Sequence, residues 1–493
     1  MSASKDRDRK PRNKLTDPNN IDGPSELKFW GEPAVALVPA VVLVGVLLWL
    51  SLAERASITG FWVGGWAAIV TGLLLTRTPR EFALSIVRGL TGQTGAIIIL
   101  AYLFAGVFGK LLSEGGLVNG LLWFGVETGV QGAAYVVLAF LLSCIFSAGT
   151  GSSVGAVLAL IPVLYPTGVA LGCNPTWLAV AVIAGGAFGD NIAPISDTTI
   201  TSAYTAKAEM GAVVKARIPM ALVSAAVTIV VLAIFGGGGK VSTASINVDA
   251  KAIGLLMIIP FFVVIILAMR KNHIVVSLIW GSLSAILIGF GTGLLKPGAI
   301  FSIPAKRGAS TGIIEDGLAD ITGAIVLVLF ILALAQVLTD AGVMASLLAT
   351  LEKRAAHGVR SAELMIAGIT LLFTVPLGAN APAILLVGPT IGQPMGVKHG
   401  LAPARIANLL DCSANTVFYM LPWHNAVIIW YATLTTTAAQ YKLPLPSITS
   451  GFLNPYAWAL LIVLFVSIMT GWNRQYAEPG EELESSNDPV PVA

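Results

Sequence analysis

The chain has 493 residues, of which 56% are hydrophobic and only 11% are charged, and its formal net charge is +3. Because a soluble protein carries about a quarter of charged residues, this composition excludes an ordinary soluble domain and predicts a protein with a lipid-facing surface. The lipid bilayer is therefore the first expected partner, and no nucleic-acid partner is expected.

The first 33 residues are rich in basic side chains and are predicted to form a disordered cytoplasmic leader. The acidic end of the chain, residues 472–493, is predicted to be a second cytoplasmic tail. These assignments place both termini inside the cell and the protein in the cell (inner) membrane as a multi-pass protein. The basic residues of the leader are Lys5, Arg7, Arg9, Lys10, Arg12, Lys14 and Lys28.

Uncharged apolar runs recur along the rest of the chain. Ala34–Ala53 has no charged residue, and at about 1.5 Å per residue a helix of that length spans roughly 30 Å of hydrocarbon. The fold class predicted is therefore an all-α polytopic membrane protein. The other runs are Ile58–Thr76, Ala96–Leu112, Ala133–Phe146, Pro219–Phe235, Ile253–Met269, Ile274–Phe290, Ala324–Val337, Leu364–Val375 and Tyr456–Thr470.

The two halves of the chain resemble each other at an offset near 228 residues. This offset predicts a first transmembrane repeat at 34–235, a linker at 236–251 and a second repeat at 252–471. Four pairs of segments match in order: 89–99 with 317–327, 112–122 with 338–348, 147–156 with 374–383, and 194–197 with 422–425.

Loop charges orient the two repeats. Under the positive-inside rule, the basic loops of the two halves predict that they enter the membrane from opposite sides. Inverted-topology repeats of this kind are typical of secondary transporters, in which the binding site lies where the copies meet at the midplane. The charges used are Arg77, Arg80 and Arg88 in the first half, and Arg270, Lys271, Lys353, Arg354 and Arg360 in the second.

Prolines interrupt the helical pattern beside polar residues. In GDNIAPISDTT, residues 189–199, Pro194 cannot donate to the carbonyl of Asp190, so the helix is predicted to unwind between Gly189 and Ser196. In the same way, Pro422 would leave the carbonyl of Phe418 without its helical donor, and Pro382 would leave the carbonyl of Gly378 without one. Such irregular backbone is tolerated at membrane depth only where it lines a cavity. The sequence therefore predicts broken transmembrane helices around an ion or small-anion site.

Glycine-rich stretches mark the predicted tips of two re-entrant hairpins. The first tip combines three glycines with hydroxyl side chains, and the second has one glycine followed by a small and an amide residue. The first tip consists of Gly149, Thr150, Gly151, Ser152, Ser153 and Gly155, and the second of Gly378, Ala379 and Asn380.

Two carboxylates in the broken stretch suggest the chemistry. A charged aspartate at the bilayer centre costs about 2.5–3.5 kcal/mol on insertion scales, so Asp190 and Asp197 are predicted to be functional. With Ser196, Thr198 and Thr199 they supply the oxygen ligands that a hard cation such as Na⁺ prefers. Because burial disfavours the charged carboxylate, the same groups could exchange a proton for a cation.

Structural roles are the alternatives for these residues. The sole role of Asp197 could be to cap a half-helix that begins at Thr198. The sole role of Asp190 could be to bind a neighbouring hydroxyl group. Asp411, in NLLDCSANT, is either a ligand or a helix-packing hydrogen bonder. His424 is either a proton-linked group or an interfacial side chain.

Five further polar or sulfur-containing residues receive a structural interpretation. Asp320, at the start of a helix, is expected to be solvated, and Lys110 is expected to extend toward the interface. Cys144, Cys173 and Cys412 are interpreted as small packing residues.

GGAFGDNIAPISDTTITSA, residues 185–203, resembles the signature of the NhaC family of Na⁺/H⁺ antiporters, within a larger ion-transporter superfamily. AGTGSSVGA and NLLDCSANTVFYMLPWHN resemble that family's other polar patches, and the resemblance covers most of residues 34–470. It implies that Asp190, Ser196, Asp197, Thr198 and Thr199 belong to the ion path, and it makes a homodimer an expectation. Ala193 replaces a serine found in many relatives, and residues 206–219 lack a frequent histidine.

The leading hypothesis is a Na⁺/H⁺ antiporter that works by alternating access around a midplane carboxylate site. No cofactor is expected, and Na⁺ and H⁺ are the transported ions. Asp190 and Asp197 are predicted to hold Na⁺. The full set of predicted ion- or substrate-binding residues is Asp190, Ser196, Asp197, Thr198, Thr199, Thr150, Ser152, Asn380, Asp411, Ser413, Asn415 and His424.

Two other hypotheses stay open. The first is a Na⁺- or H⁺-coupled carrier of a small organic anion or amino acid, whose carboxylate would be held by Asn380, Ser413, Asn415 and Thr416. The second is a channel or a polytopic membrane enzyme. The sequence shows no catalytic dyad, no metal-ligand spacing and no Walker A pattern, so it does not support an enzyme or nucleotide-driven transport.

Overall fold

The computed structural model describes residues 27–31, 34–53, 57–194, 196–239, 251–270, 273–302, 311–343 and 358–477. Within these residues the regular secondary structure is helical, and three isolated β-bridges join extended segments. The predicted all-α class is therefore confirmed for the described part of the chain. The predicted leader up to residue 26, linker residues 240–250, tail residues 478–493, and the charges Lys271, Lys353 and Arg354 lie outside it.

The first half of the chain forms ten described α-helices. A 3₁₀ turn, Ala34–Leu37, leads into the first of them, and a π-helical turn, Ser113–Leu117, joins the fourth to the fifth. The helices are α1 (Val38–Leu52), α2 (Ile58–Leu75), α3 (Pro79–Thr91), α4 (Gln93–Leu112), α5 (Val118–Thr128), α6 (Ala133–Thr150), α7 (Ser153–Ala170), α8 (Pro175–Ile192), α9 (Asp197–Thr205) and α10 (Met210–Phe235).

The second half forms another ten described α-helices. Two 3₁₀ segments, Ala252–Met257 and Ile448–Leu453, and a π-helical turn, Gly388–Gly392, lie between them. The helices are α11 (Ile258–Met269), α12 (Ile274–Thr292), α13 (Pro297–Ile300), α14 (Ile313–Asp340), α15 (Val359–Leu377), α16 (Asn380–Val387), α17 (Gln393–Lys398), α18 (Pro403–Val417), α19 (Asn425–Tyr441) and α20 (Pro455–Thr470).

Eight helical stretches among the described residues are long and apolar enough to cross a membrane. The protein is therefore a multi-pass membrane protein, as its composition predicted. The predicted runs Ala34–Ala53 and Ile58–Thr76 form the shorter apolar helices α1 and α2. Large apolar side chains on the outer surface, such as Trp49, Leu287 and Ile234, are more than half exposed in the protein alone, as lipid-facing residues must be.

Helix starts recur in the two halves in the same order and at the offset that the sequence comparison found. The successive helices α7, α8 and α9 begin at Ser153, Pro175 and Asp197, and α16, α18 and α19 begin at Asn380, Pro403 and Asn425. The halves are interlocked, because α7 packs against α19 and α10 packs against α20. The inverted orientation of the repeats and their limits at 34–235 and 252–471 stay predictions.

Helices α6 and α8 pack with their backbones almost in contact. Ser143 and Ser147 on α6 donate hydrogen bonds to the carbonyls of Val182 and Gly186, at 2.6 and 2.7 Å. Gly189 faces this contact, and a Cβ atom there would overlap the backbone nitrogen of Ala148. Small residues allow this approach, and serine hydroxyls join the helices. The packing holds the C-terminal end of α8 beside the turn that follows α6.

The Gly189→Ala substitution should therefore destabilise the protein by about 1–3 kcal/mol, because the added methyl group meets backbone that cannot move aside. The measurement is the apparent melting temperature of the purified protein in detergent. Gly368→Ala is the matched control, since Gly368 is also helical and has no heavy atom within 4 Å of a Cβ position. That control should leave stability unchanged or raise it by up to about 1 kcal/mol. Equal melting temperatures for the two variants would contradict the prediction.

The described start of the predicted linker is held against the α7–α8 loop. Asn174 N donates to Gly236 O at 2.8 Å, and Gly239 N donates to Gly172 O at 3.1 Å. The three cysteines are free and buried, at 6% or less exposure, so they pack in the interior as the sequence suggested.

Candidate ion-binding site

The first helix break is shorter than the sequence predicted. Helix α8 continues to Ile192, so Asp190 stays in its last turn, and α9 begins at Asp197 with Ser196 in the N-cap position. The helix therefore ends at Ile192 rather than at Gly189. Pro194 removes the donor that Asp190 O would need and favours an extended Ala193, but Ala193 N still donates to Gly189 O at 2.9 Å.

The second break lies between α18 and α19. Helix α18 ends at Val417, and Pro422 lies in the irregular segment before α19 begins. Leu421 N still donates to Val417 O at 3.1 Å, and His424 N donates to Leu421 O at 2.9 Å. The predicted interruption at Pro422 is present as a series of turns.

Both predicted hairpin tips are tight helix–glycine–helix turns. Gly151 (φ 68°) separates α6 from α7, and Ser152 caps α7 by accepting from Gly155 N at 3.0 Å. Gly378 (φ 62°) separates α15 from α16. These left-handed conformations favour glycine.

The second tip is joined directly to the second break. The carbonyl of Gly378, which Pro382 cannot bind, accepts a hydrogen bond from Asn425 N at 3.0 Å. One carbonyl predicted to be freed by a proline therefore binds the first residue of α19.

Asp190 is buried and surrounded by hydroxyl groups from both halves of the chain. Its side chain is 3% exposed. Ser196 donates to Asp190 Oδ1 at 2.8 Å, and the Tyr419 hydroxyl lies 2.5 Å from Oδ2. Ser153, at the first tip, lies 2.8 Å from the Tyr419 hydroxyl and 3.4 Å from Asp190 Oδ2. The first tip and both breaks thus meet at one carboxylate.

Asp197 differs from Asp190 in its exposure. Its side chain reaches the protein surface, whereas Ser196, Thr198 and Thr199 on either side of it are buried. Its Oδ1 accepts from Thr198 N at 2.8 Å, within the first turn of α9. This carboxylate is therefore stabilised by backbone N–H groups at the start of its own helix, and its role as a Na⁺ ligand beside Asp190 stays a prediction.

A buried ion pair that the sequence interpretation missed lies beside these residues. Arg217, on α10, pairs with Asp411, on α18, and both side chains are 0% exposed. Arg217 Nη1 also donates to Asn191 O at 2.6 Å and to Thr199 Oγ1 at 2.9 Å, and its Nε donates to Asn408 Oδ1 at 2.8 Å. One guanidinium therefore joins α8, α9, α10 and α18.

Amide side chains continue this network to the second tip. Asn415 donates to Asp411 Oδ1 at 2.6 Å and lies 3.5 Å from Thr198 Oγ1. Asn380, the first residue of α16, donates to Asn415 Oδ1 at 2.7 Å. The predicted residues Asn380, Asn415, Asp411 and Thr198 are thus brought together in one chain of hydrogen bonds.

Four predicted residues make contacts elsewhere. Thr150 donates to Phe146 O within α6, Ser413 donates to Leu409 O within α18, and Ser152 serves as a cap. His424 is buried, and its Nε2 lies 3.2 Å from Val375 O. Within the described part of the chain, the hydrogen bonds of these four residues go to groups other than Asp190 and Asp411, and their roles as ligands stay predictions.

Two signals in the sequence could have revealed part of what was missed. Arg217 is the one arginine of α10, and a lone arginine in an apolar membrane helix calls for a buried partner. Ser153 directly follows the predicted tip residue Ser152. Tyr419 offered no local signal, because its contact with Asp190 spans 229 residues of sequence.

The described cluster has a simple charge balance. Arg217 and Asp411 neutralise each other, whereas the side chains that contact the Asp190 carboxylate within the described residues are hydroxyl groups. A buried carboxylate without a cationic partner requires a proton or a metal cation to offset its charge. The arrangement therefore suits competition between a monovalent cation and a proton at Asp190.

Comparison with known proteins finds antiporters among the relatives of this chain. A family model described as "Na+/H+ antiporter family" matches residues 27–237 and 242–472. The chain is 23% identical over 470 residues to the malate-2H(+)/Na(+)-lactate antiporter of Bacillus subtilis (strain 168), covering 89% of this chain and 95% of that protein. It is 24% identical over 455 residues to the Na(+)/H(+) antiporter NhaC of Alkalihalophilus pseudofirmus, covering 88% and 90%. It is also 24% identical over 487 residues to the arginine/ornithine antiporter ArcD of Halobacterium salinarum, covering 92% and 93%.

Proposed function

Because the chain belongs to the Na⁺/H⁺ antiporter family, we propose that it exchanges Na⁺ for H⁺ across the cell membrane, with Asp190 as the group that binds either ion. The family consists of secondary antiporters, so the coupling energy comes from the ion gradients themselves. The observation that carries the proposal is the environment of Asp190, a buried carboxylate whose hydrogen-bond partners within the described residues are hydroxyl groups from both halves of the chain.

Na⁺ bound at this position would be held by oxygen atoms. The carboxylate of Asp190 supplies the charge, and the hydroxyls of Ser153, Ser196 and Tyr419 lie around it. When H⁺ replaces Na⁺, the protonated carboxyl group can donate a hydrogen bond to one of these hydroxyls, so neither loaded state leaves an uncompensated buried charge.

Arg217 and Asp411 have a different role in the proposal. Their pairing holds α8, α9, α10 and α18 together next to Asp190. Arginine stays protonated in proteins and its charge favours the ionised form of Asp411, so we assign the exchanged proton to Asp190 rather than to this pair. The two charges of the pair cancel each other, so the pair needs no further ion. In this proposal Asp190 is the buried carboxylate that needs a transported cation.

Alternating access would come from movement of the two hairpins and broken helices around this site. Asp190 is touched by the first hairpin tip, the first break and the second break, which come from both halves of the chain. A site built in this way is exposed to one side or the other when the halves shift against each other. We propose that both hairpins are re-entrant and that the repeats are inverted, as the sequence predicts.

The test is ion exchange by the purified protein in liposomes. After a pH gradient is imposed, addition of NaCl alone should dissipate it, whereas choline chloride at the same concentration should not. Liposomes without protein, treated identically, give the background. No response to Na⁺ in the absence of any organic substrate would overturn the proposed exchange.

A second candidate function has one specific observation in its favour. Arg217 Nη2 is buried and has no hydrogen-bond partner among the described residues, and an arginine fork is suited to binding a carboxylate. The similarity to a malate/lactate antiporter and to an arginine/ornithine antiporter points the same way. This candidate is a Na⁺- or H⁺-coupled exchanger of small carboxylates or amino acids.

The two candidates differ in what the liposome experiment requires. If the second is correct, Na⁺ should dissipate the pH gradient only when a substrate such as malate, lactate, arginine or ornithine is also present. Radiolabelled substrate trapped in the liposomes should then exchange with external substrate. A full response to NaCl alone, unchanged by all four compounds, would exclude it.

A further inference from the structure

A cavity separate from the Asp190 cluster lies between the two halves of the protein. The space in it that water-sized molecules can enter is about 30 Å³, and none of the predicted site residues lines it. Two lining helices, α4 and α7, belong to the first half, and two, α14 and α19, belong to the second. Its main polar lining residues are Lys110, Asp320, Thr433, Thr436, Thr437 and Gln440.

The inner part of the cavity lies close to both hairpin tips along the helix axes. Leu158 lines the cavity and is five residues after Ser153 on α7, which corresponds to about 7.5 Å of helix. Thr433 is eight residues after Asn425 on α19, or about 12 Å. Ser153 contacts the Asp190 carboxylate, and Asn425 binds the carbonyl of Gly378 at the second tip. Two of the helices that line the cavity, α7 and α19, therefore also carry residues in contact with the carboxylate cluster or with the second tip.

The floor of the cavity is formed where α4 and α14 cross. A Cβ atom at Gly106 would lie 2.7 Å from the carbonyl oxygen of Gly317, so the two backbones are nearly in contact there. Tyr102, one turn along α4, is within hydrogen-bonding distance of Asn425, at 3.2 Å. Polar groups therefore continue along the α4–α19 seam from the cavity toward the second tip.

The outer end carries a cluster of charged and amide side chains. Lys110 Nζ lies 3.4 Å from Asp320 Oδ2, 3.0 Å from Gln440 Oε1 and 4.0 Å from Glu114 Oε1. The side chains of Asp320 and Glu114 are 37% and 41% exposed, so this end is open to solvent. Lys110 and Asp320 pair with each other, and Asp320 is partly solvated as the sequence suggested.

We propose that this cavity is the access route by which the transported cation reaches Asp190 from one side of the membrane, with Asp320, Glu114 and Lys110 as the charges that select it. The inference rests on the proposed function. Two carboxylates and one ammonium give the mouth a net negative charge, which raises the local concentration of cations. The threonine hydroxyls of α19 replace part of the water around a cation as it moves inward.

Thiol labelling tests the route without any need for transport. Thr436→Cys and Gln440→Cys place thiols on the less buried part of the cavity wall, and the three native cysteines are buried, so the unmodified protein serves as the blank. A membrane-impermeant cationic methanethiosulfonate should label both variants in vesicles of one orientation only. Thr435→Cys, on the same helix but outside the lining, is the matched control and should react about tenfold more slowly. Labelling of the lining positions from both sides, or from neither, would overturn the route.

Substitutions of the charged residues at the cavity mouth test whether these charges select the transported cation. Asp320→Asn should raise the KM for Na⁺ roughly threefold and Lys110→Gln should lower it by a similar factor, because single charges near the surface act over short distances. Both shifts should disappear at high ionic strength in choline chloride, and kcat should stay unchanged. Shifts of the same sign in the two variants would contradict the assignment. If the unmodified protein moves no protons in response to Na⁺, the proposed function fails, while the labelling pattern still decides the route.

Discussion

Asp190→Asn should abolish Na⁺-driven proton exchange, with a loss of about a hundredfold or more in the transport rate. Asparagine has nearly the same shape and can still bind Ser196 and Tyr419, so the helices around it should keep their positions. It has no charge to balance a cation and no proton to release. Leaving a buried cation unpaired costs about 3–5 kcal/mol, which corresponds to at least two orders of magnitude in binding.

The measurement is Na⁺-induced dissipation of a pH gradient in liposomes that contain equal amounts of each variant. Tyr419→Phe is the matched comparison, because it removes one hydroxyl from the same carboxylate and leaves the charge in place. The loss of one hydrogen bond of about 1–1.5 kcal/mol should raise the KM for Na⁺ by roughly five- to tenfold and leave residual exchange. Full exchange by Asp190→Asn would remove Asp190 from the mechanism.

Asp197→Asn distinguishes the two predicted Na⁺ ligands. Because Asp197 is exposed and its carboxylate binds the end of its own helix, the substitution should weaken exchange much less than Asp190→Asn. A loss of a few-fold in apparent Na⁺ affinity is expected from removal of a nearby charge. Complete loss of exchange in Asp197→Asn with normal folding would show that both carboxylates bind the ion directly.

Breaking the buried pair of Arg217 and Asp411 should strongly destabilise the protein. Asp411→Asn leaves a guanidinium at 0% exposure without its anion, and Arg217→Gln leaves the carboxylate without its cation. Either change should cost about 3–5 kcal/mol, since the remaining charge stays buried. The expected result is a marked fall in the apparent melting temperature in detergent and low yield of folded protein.

The double variant Arg217→Met/Asp411→Leu separates charge from packing. Replacement of both partners by apolar residues of similar size removes the unpaired charge, so much of the lost stability should return. Lys110→Gln is the control for an ordinary pair, because Asp320 is 37% exposed and the loss there should be about 1 kcal/mol or less. A double variant that is less stable than both single variants would contradict a charge-pairing role.

The sequence was a good guide to local features and a poor guide to partners. The proline breaks and glycine turns were predictable because they depend on residues a few positions apart, as at Pro194, Gly151 and Gly378. The prediction for the first break was wrong in its extent. Helical hydrogen bonds N-terminal to a proline survive, and Asp190 remains helical for that reason.

Partners across the fold were not predictable from the pattern. The approach of Tyr419 to Asp190 and the pairing of Arg217 with Asp411 join residues about two hundred positions apart. Asp197 was expected to share the ion site with Asp190 because a charged aspartate in a membrane helix is costly, and this role stays a prediction. The exposure of its side chain depends on which face of α9 packs against α18 and α16, and that is fixed by the helices around it.

The sequence by itself determined that this is a helical membrane protein with two related halves, interrupted helices and a polar stretch around Asp190. Composition, proline and glycine act locally, so these properties follow from residues read in order. Only the tertiary structure decided which carboxylate is paired with arginine and which has hydroxyl partners alone. That choice depends on helix packing, because a buried charge is stabilised by whichever groups the fold brings within a few ångströms of it.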